Sequence, residues 1–293
     1  MATISGIGLS TSDFAPTLSR LGAVLDWFET LGVDSVELGL ANFEVIGGCQ
    51  VYADRLEELK RICADRPFGY SVHGPIKSSF TDARHRALQI DACRACLEVG
   101  VAIGATAQVH HAGLLGPLSA AQRAEVLARE TETLAEIAPH FAEGGVVLCV
   151  ETLFGRIEEW TASPAELARQ LRAVDSEAVR ATIDFSHVFL NAGERGFDPL
   201  AELVELAPLT RHLHLHDSFG LPRSFAAYSR GEAILFGMGD LHLPPGRGNL
   251  PWDALAELPF AGPTVANLEL TERHRDQVAE SVTWARAWAE RAG

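Results

Sequence analysis

The chain has 293 residues, 47% of them hydrophobic and 22% charged, with a formal net charge of −15. That is ordinary globular material, enough for one large domain and within the size range of a single α/β barrel. The acid excess sets the surface against nucleic-acid phosphates and anionic membranes, and no window of about eighteen apolar residues offers a membrane span.

The opening stretch MATISGIGLS lacks a basic region and a long apolar run. No signal peptide is therefore expected, and a cytoplasmic protein is. Residues 4–10 read as a short strand, and 17–32 carry the helical stripe Leu18, Leu21, Val24, Leu25, Phe28 and Leu31, stopped by Gly32. Strand-like 34–40 and 68–74 alternate with helix-like 53–65 and 82–99. The five cysteines, Cys49, Cys63, Cys93, Cys96 and Cys149, are odd in number and scattered, as expected of reduced thiols. Cys93 and Cys96 lie inside a helix-like segment with no second pair nearby, which reads as packing.

Residues 105–111 are strand-like, 119–142 form a long helix, and GVVLCVE (145–151) is the apolar run of a strand buried on both faces. Ser163, Pro164 and Glu166 spell a capping box with proline in the first turn. Strand-like 179–185, helical 198–206, strand-like RHLHLHD, strand-like 263–270 and a last helix over 272–290 complete the pattern. Eight strands, usually each followed by a helix, imply an α/β chain folded as a single (β/α)8 TIM barrel over residues 1–293. The alternative is an open doubly wound sheet, weakened by the lack of G-x-G-x-x-G after the first strand. The exception to regular alternation is 218–262, rich in Gly and Pro, where only LPWDALAEL looks helical. Residues 218–239 of it read as an insertion.

Possible metal ligands fall at the C-terminal ends of successive strands: His73, His110 and His111, Glu151, then Asp184 with His187 just after it. Strand seven carries His214, His216 and Asp217, the next loop Asp240 and His242, and strand eight ends in Glu269. In a barrel these ends converge on the face where active sites sit. A carboxylate following the apolar run GVVLCV is expected to be partly buried and to need a partner. Histidine and carboxylate donors without cysteine suit Zn²⁺ or Mn²⁺, with Mg²⁺, Co²⁺ and Fe²⁺ as other candidates. Strand alternation puts His212, His214 and His216 on one face. His212 is expected deep in the barrel and hydrogen-bonded. His216 is expected at the mouth, for substrate or a second metal, and Asp217 to orient a ligand histidine.

The combination VET, IDFSH, HLHD, PPGRGNLPW and LEL resembles the xylose isomerase-like TIM barrels across essentially the whole chain. That superfamily includes sugar isomerases, ketose 3-epimerases, hydroxypyruvate isomerase, inosose dehydratase and endonuclease IV. By resemblance to the epimerases, Glu151, Asp184, His214 and Glu269 hold one metal. Glu151 and Glu269 also act as the catalytic acid and base, and His187 binds substrate. The epimerases usually carry an arginine where this chain has His242. Endonuclease IV has Asp-x-His there, and its ligand set resembles His73, His111, Glu151, Asp184, His187, His214, Asp240, His242 and Glu269. One to three divalent cations per chain are therefore implied.

The sequence favours a metal-dependent isomerase or epimerase of a small sugar, sugar derivative or sugar phosphate. Its alternative is an endonuclease IV-like multi-zinc phosphoesterase or lyase. Small sugar-like molecules are the expected partners rather than nucleic acid or membrane, and a homo-oligomer is a further candidate, as in relatives. His187, His216 and Arg247 are candidate substrate-binding residues. Arg223, Arg230 and Arg247 together suit one phosphate or carboxylate. Phe219, Phe225, Tyr228 and Phe236 are candidates for a pocket wall, with rim packing as the alternative.

Overall fold

A computed structural model describes residues 3–155 and 159–292. Eight parallel strands close into a barrel: β1 Ile4–Ser10, β2 Ser35–Gly39, β3 Gly69–His73, β4 Ala105–His111, β5 Val147–Glu151, β6 Val179–Asp184, β7 Thr210–Leu215 and β8 Thr264–Leu268. Neighbours around the ring are also neighbours in sequence, and β8 pairs with β1 to close it. The helices between them are α1 Leu18–Thr30, α2 Ala53–Cys63, α3 Arg86–Ala102, α4 Ala120–Gly144, α5 Pro164–Val174, α6 Phe185–Arg195, α7 Pro199–Leu206, α8 Arg230–Phe236, α9 Trp252–Ala256 and α10 Val278–Ala289. This is a (β/α)8 TIM barrel, and the open-sheet alternative is excluded by the closure.

The local signals act as their chemistry requires. Ser163 accepts from the Glu166 N–H and Glu166 reaches back to the Ser163 N–H, so α5 starts on the expected capping box. α4 begins on a second one, Ser119 with Gln122. Leu213 and Leu215 point away from the axis into the continuous core between strands and helices, together with Ile183, Val150 and Leu268. Cys93 and Cys96 are buried in α3, and burial pushes the Cys96 thiol up to about 12, so the pair is packing.

Several elements differ from the sequence reading, among them α3, which runs 86–102 rather than 82–99, and α6 Phe185–Arg195, a helix the sequence pattern does not announce. Strand β6 stops at Asp184 rather than 185, because the Asp184 side chain accepts from the His187 N–H and starts α6 at once. The 218–262 stretch holds α8 as well as the short helix at LPWDALAEL. The last helix begins at Val278, after a 3-10 turn over Glu272–Gln277. Among the described residues no helix is long and apolar enough to cross a membrane.

Candidate metal centre

Strand register brings the polar strand ends to matching heights. Asp184 lies level with His214 across β6 and β7, and His111 with Glu151 across β4 and β5. Glu269 follows β8 directly, its N–H bonded to Leu215 O at 3.2 Å. His214 is the hub: its Nδ1 lies 3.3 Å from Glu151 Oε1, 3.6 Å from Glu269 Oε2 and 3.8 Å from Asp184 Oδ2. These are the four residues of the expected first metal site.

Two further groups flank the hub. His73 Nε2 and His111 Nε2 lie 3.3 and 3.2 Å from the other oxygen of Glu151. On the opposite side, Asp240 Oδ2 lies 2.7 Å from His242 Nε2 and 3.6 Å from His187 Nε2. All nine expected ligands therefore converge, and the combinations whose donor atoms lie close enough to share a cation include His73–His111–Glu151, Glu151–Asp184–His214 and His216–Asp240–His242. His216 is fully buried, with its Nε2 2.8 Å from Asp184 Oδ2 and its ring stacked on His242 at 4.1 Å between centroids. It belongs to two candidate cation groups, Asp184–His187–His216 and His216–Asp240–His242, and does not line the cleft.

The donor set fits divalent cations on two counts. First, the histidine tautomers are already set. His73, His111, His187 and His242 each donate from Nδ1 to a backbone carbonyl, of Gly74, Ile76, Thr152 and Glu269, at 2.8 to 3.0 Å. Their Nε2 atoms are left for a cation. His214 is held the other way round, with Nε2 on Glu37 Oε2 at 3.1 Å and Nδ1 turned to Glu151 and Glu269. Second, Glu151 Oε2, Asp240 Oδ1 and His216 Nδ1 are buried without a hydrogen-bond partner. Buried polar atoms in that state need a cation or a proton.

The histidines and carboxylates shift one another's basicity. Burial lowers the His73 and His242 basicity, but Glu151 and Asp240 respectively outweigh it and raise both to about 9. Burial pushes the Glu151 carboxyl up, yet the charges of His111 and His214 hold it well below the usual range. His110 behaves differently from its neighbour His111. It faces outward and stacks on Phe80 at 4.1 Å, and burial drives it down to about 3, a neutral core histidine.

Glu37 is the residue that sequence reasoning missed. It is fully buried below the hub and accepts from both His212 and His214, at 2.9 and 3.1 Å. Its only signal is a carboxylate in the strand-like segment DSVELGL. His212 is hydrogen-bonded deep in the barrel, as expected. Asp217 corrects the expectation that it orients a histidine. Its carboxylate accepts from the N–H groups of Ser218, Gly246 and Leu250 and from Trp252 Nε1, so it anchors the Pro-Gly loop. Donor density explains the difference, since four N–H groups converge on Asp217 and no histidine nitrogen does.

A cleft of about 520 Å³ opens above the hub. Glu151, Glu269, His187, Asp240 and His242 form its floor, and Ser10, Ser12, Asn42, Lys77 and Arg230 are among its polar walls. Arg247 is exposed and outside that wall. Of the four aromatic candidates, Tyr228 lines a neighbouring side cleft, Phe219 packs on Ala233, Leu241 and Leu243, and Phe225 and Phe236 meet edge to face at 5.3 Å.

A family model described as xylose isomerase-like TIM barrel matches residues 25–291. No curated protein matches the chain. Among solved structures, a D-tagatose 3-epimerase-like protein superposes with a TM-score of 0.71 at 19% identity, covering 97% of each chain. D-psicose 3-epimerase with D-tagatose, from Clostridium cellulolyticum, gives 0.67 at 15% identity over 97% of this chain and 99% of that one. A Thermus thermophilus protein soaked with ZnCl2 gives 0.66 at 21% identity over 98% and 99%.

Proposed function

The chain belongs to the xylose isomerase-like TIM barrel family, and from that premise we propose that it is a divalent-metal-dependent isomerase or epimerase of a small sugar, sugar derivative or sugar phosphate. The observation that carries this reading is the pair Glu151 and Glu269. Both carboxylates face the same cleft, on either side of His214 Nδ1. The cleft volume and hydroxyl-bearing walls suit a small polyol, and the acidic chain suits nucleic acid poorly.

Glu151, Asp184, His214 and Glu269 would hold the cation of this reaction. A divalent cation there supplies Lewis acidity to a substrate carbonyl and its neighbouring hydroxyl. One glutamate takes the proton from the carbon next to the carbonyl, and the other returns a proton to carbon or oxygen. His187 donates from Nδ1 to Thr152 O, which leaves Nε2 facing the cleft to meet a substrate oxygen. Ser10, Ser12 and Asn42 bind further hydroxyls. The test is solvent deuterium exchange on a set of ketoses and inososes with metal-replete protein, followed by NMR. Exchange next to the carbonyl supports the reading, and its absence from every member of the set overturns it.

A second reading, a multi-zinc phosphoesterase or lyase, is favoured by one observation. His216, Asp240 and His242 form a further candidate ligand group beside the hub, with His187 Nε2 3.6 Å from Asp240, where clustered cations could grip both the attacking and leaving oxygens of a phosphate ester. Turnover of small phosphate esters, with roughly two to three zinc ions per chain, would select it over the isomerase.

A further inference from the structure

The insertion forms one wall of a second, open cleft of about 540 Å³, which shares Phe154, Arg230, Asp240 and His242 with the main one. The two spaces therefore meet at the Asp240–His242 wing of the metal centre. Arg223 lines the side cleft and has no ion pair or side-chain hydrogen bond among the described residues. Its stem lies flat against Gly239: a Cβ on that glycine would sit 2.5 Å from Arg223 Nε and 2.9 Å from Cγ. Gly239 also has φ +82°, a left-handed conformation that suits glycine. The Arg223 side chain thus runs over the backbone one residue from Asp240.

Arg230 lines both clefts. Its Nη2 donates to Leu241 O at 3.3 Å, and its other N–H groups have no partner among the described residues. Glu194 is on the outer wall and pairs with neither arginine. Both arginines are exposed side chains that line this open cleft. Guanidinium groups match carboxylate and phosphate oxygens in a two-pronged geometry.

We propose that the side cleft is an anion-binding subsite, in which Arg223 and Arg230 receive a phosphate or carboxylate carried by the substrate at the end remote from the reacting carbon. As an account of substrate class this rests on the isomerase reading above. The subsite itself does not, because it is read without turnover.

The experiment titrates metal-loaded full-length protein with inorganic phosphate and, separately, with acetate, by calorimetry. Saturable binding is expected, weakened about tenfold or more in Arg223→Gln, with Arg223→Lys recovering only part. Arg230→Gln is expected to weaken it as well. Tighter phosphate identifies a phosphoryl group and tighter acetate a carboxylate. Arg223→Gln removes no bond among the described residues, and an unchanged circular dichroism spectrum confirms that it folds. The proposal is overturned if neither anion binds. It is equally overturned if Arg223→Gln binds like the parent, including the case where binding vanishes only on metal removal, which would put the anion on the cations. If deuterium exchange fails on every sugar while phosphate binding depends on Arg223, the subsite stands and the isomerase reading falls.

Discussion

Glu37 Oε2 and His214 Nε2 lie 3.1 Å apart in the closed interior of the barrel, and that one contact decides which nitrogen of His214 faces Glu151 and Glu269 in the candidate metal centre. The other Glu37 bond, to His212, fixes the carboxylate from below. Removing such a partner from a ligand histidine commonly weakens metal binding by roughly 10- to 100-fold. Glu37→Gln is expected to do this, because a glutamine oxygen accepts less strongly than a carboxylate. Zinc affinity by chelator competition checks it. An unchanged affinity would mean that His214 is oriented by its strand alone.

Glu151 and Glu269 are expected to be separable by kind of loss. Glu151 contacts both the hub and the His73–His111 pair, so Glu151→Gln should lose metal as well as turnover. Glu269 touches the hub through one oxygen, 3.6 Å from His214 Nδ1. Glu269→Gln should keep more metal and lose about a hundredfold to ten-thousandfold in proton exchange. Metal content and exchange rate, measured on the same preparations, check both. Full turnover in either variant would remove it from the acid–base pair.

Asp240 separates metal ligation from substrate contact. Asp240→Asn is expected to lower the metal content of protein purified without chelator by about one ion per chain, because Asp240 holds together His187 and His242. Chelator treatment of the parent is expected to lower the melting temperature, since a cation bound only to the folded state stabilises it. Elemental analysis and thermal melts are the measurements. If the metal count is the same in Asp240→Asn, the group serves substrate.

Glu130 gives a pH dependence away from the ligands. It is almost fully buried in α4, accepting from Gly113 N–H at 2.9 Å and Gln170 Nε2 at 3.0 Å. Burial raises its pKa, and these two bonds offset only part of the rise. The folded chain thus keeps this proton to higher pH than the unfolded chain. The associated stability is complete below the unfolded carboxylate value, about 4.3, and is lost as pH rises through the raised folded value. Relative to Glu130→Gln, the parent should lose stability as pH rises above about 4. Urea unfolding of both proteins across that range checks the slope, and a constant difference would mean that Glu130 is not raised.

Much of the site is legible in the sequence because barrel geometry converts strand ends into neighbours. His73, Glu151 and Glu269 are remote in sequence, yet each follows an apolar run, so their convergence can be read from the pattern alone. Glu37 is not legible, because a single acid in a short alternating segment looks like any solvent-facing strand residue until closure puts it on the axis. Asp217 misleads because its neighbour is His216. Sequence adjacency suggests a histidine partner, whereas the returning loop brings four N–H donors to it. The start of α6 is hidden because Asp184 has two tasks. It ends a strand as a ligand candidate and caps a helix with the same carboxylate.

The pairing of Asp217 with Leu243, through bonds of 2.7 and 3.1 Å, has a consequence for how this chain can change. It ties the two feet of the insertion together at the barrel mouth. For a loop already closed at its base, doubling the length costs only about 0.6 kcal/mol. Residues between Phe219 and Met238 are thus an exchangeable cassette, free to be lengthened, shortened or swapped between relatives without reopening the barrel. Diversification of what enters the mouth can proceed there, while the ligands beyond it stay put.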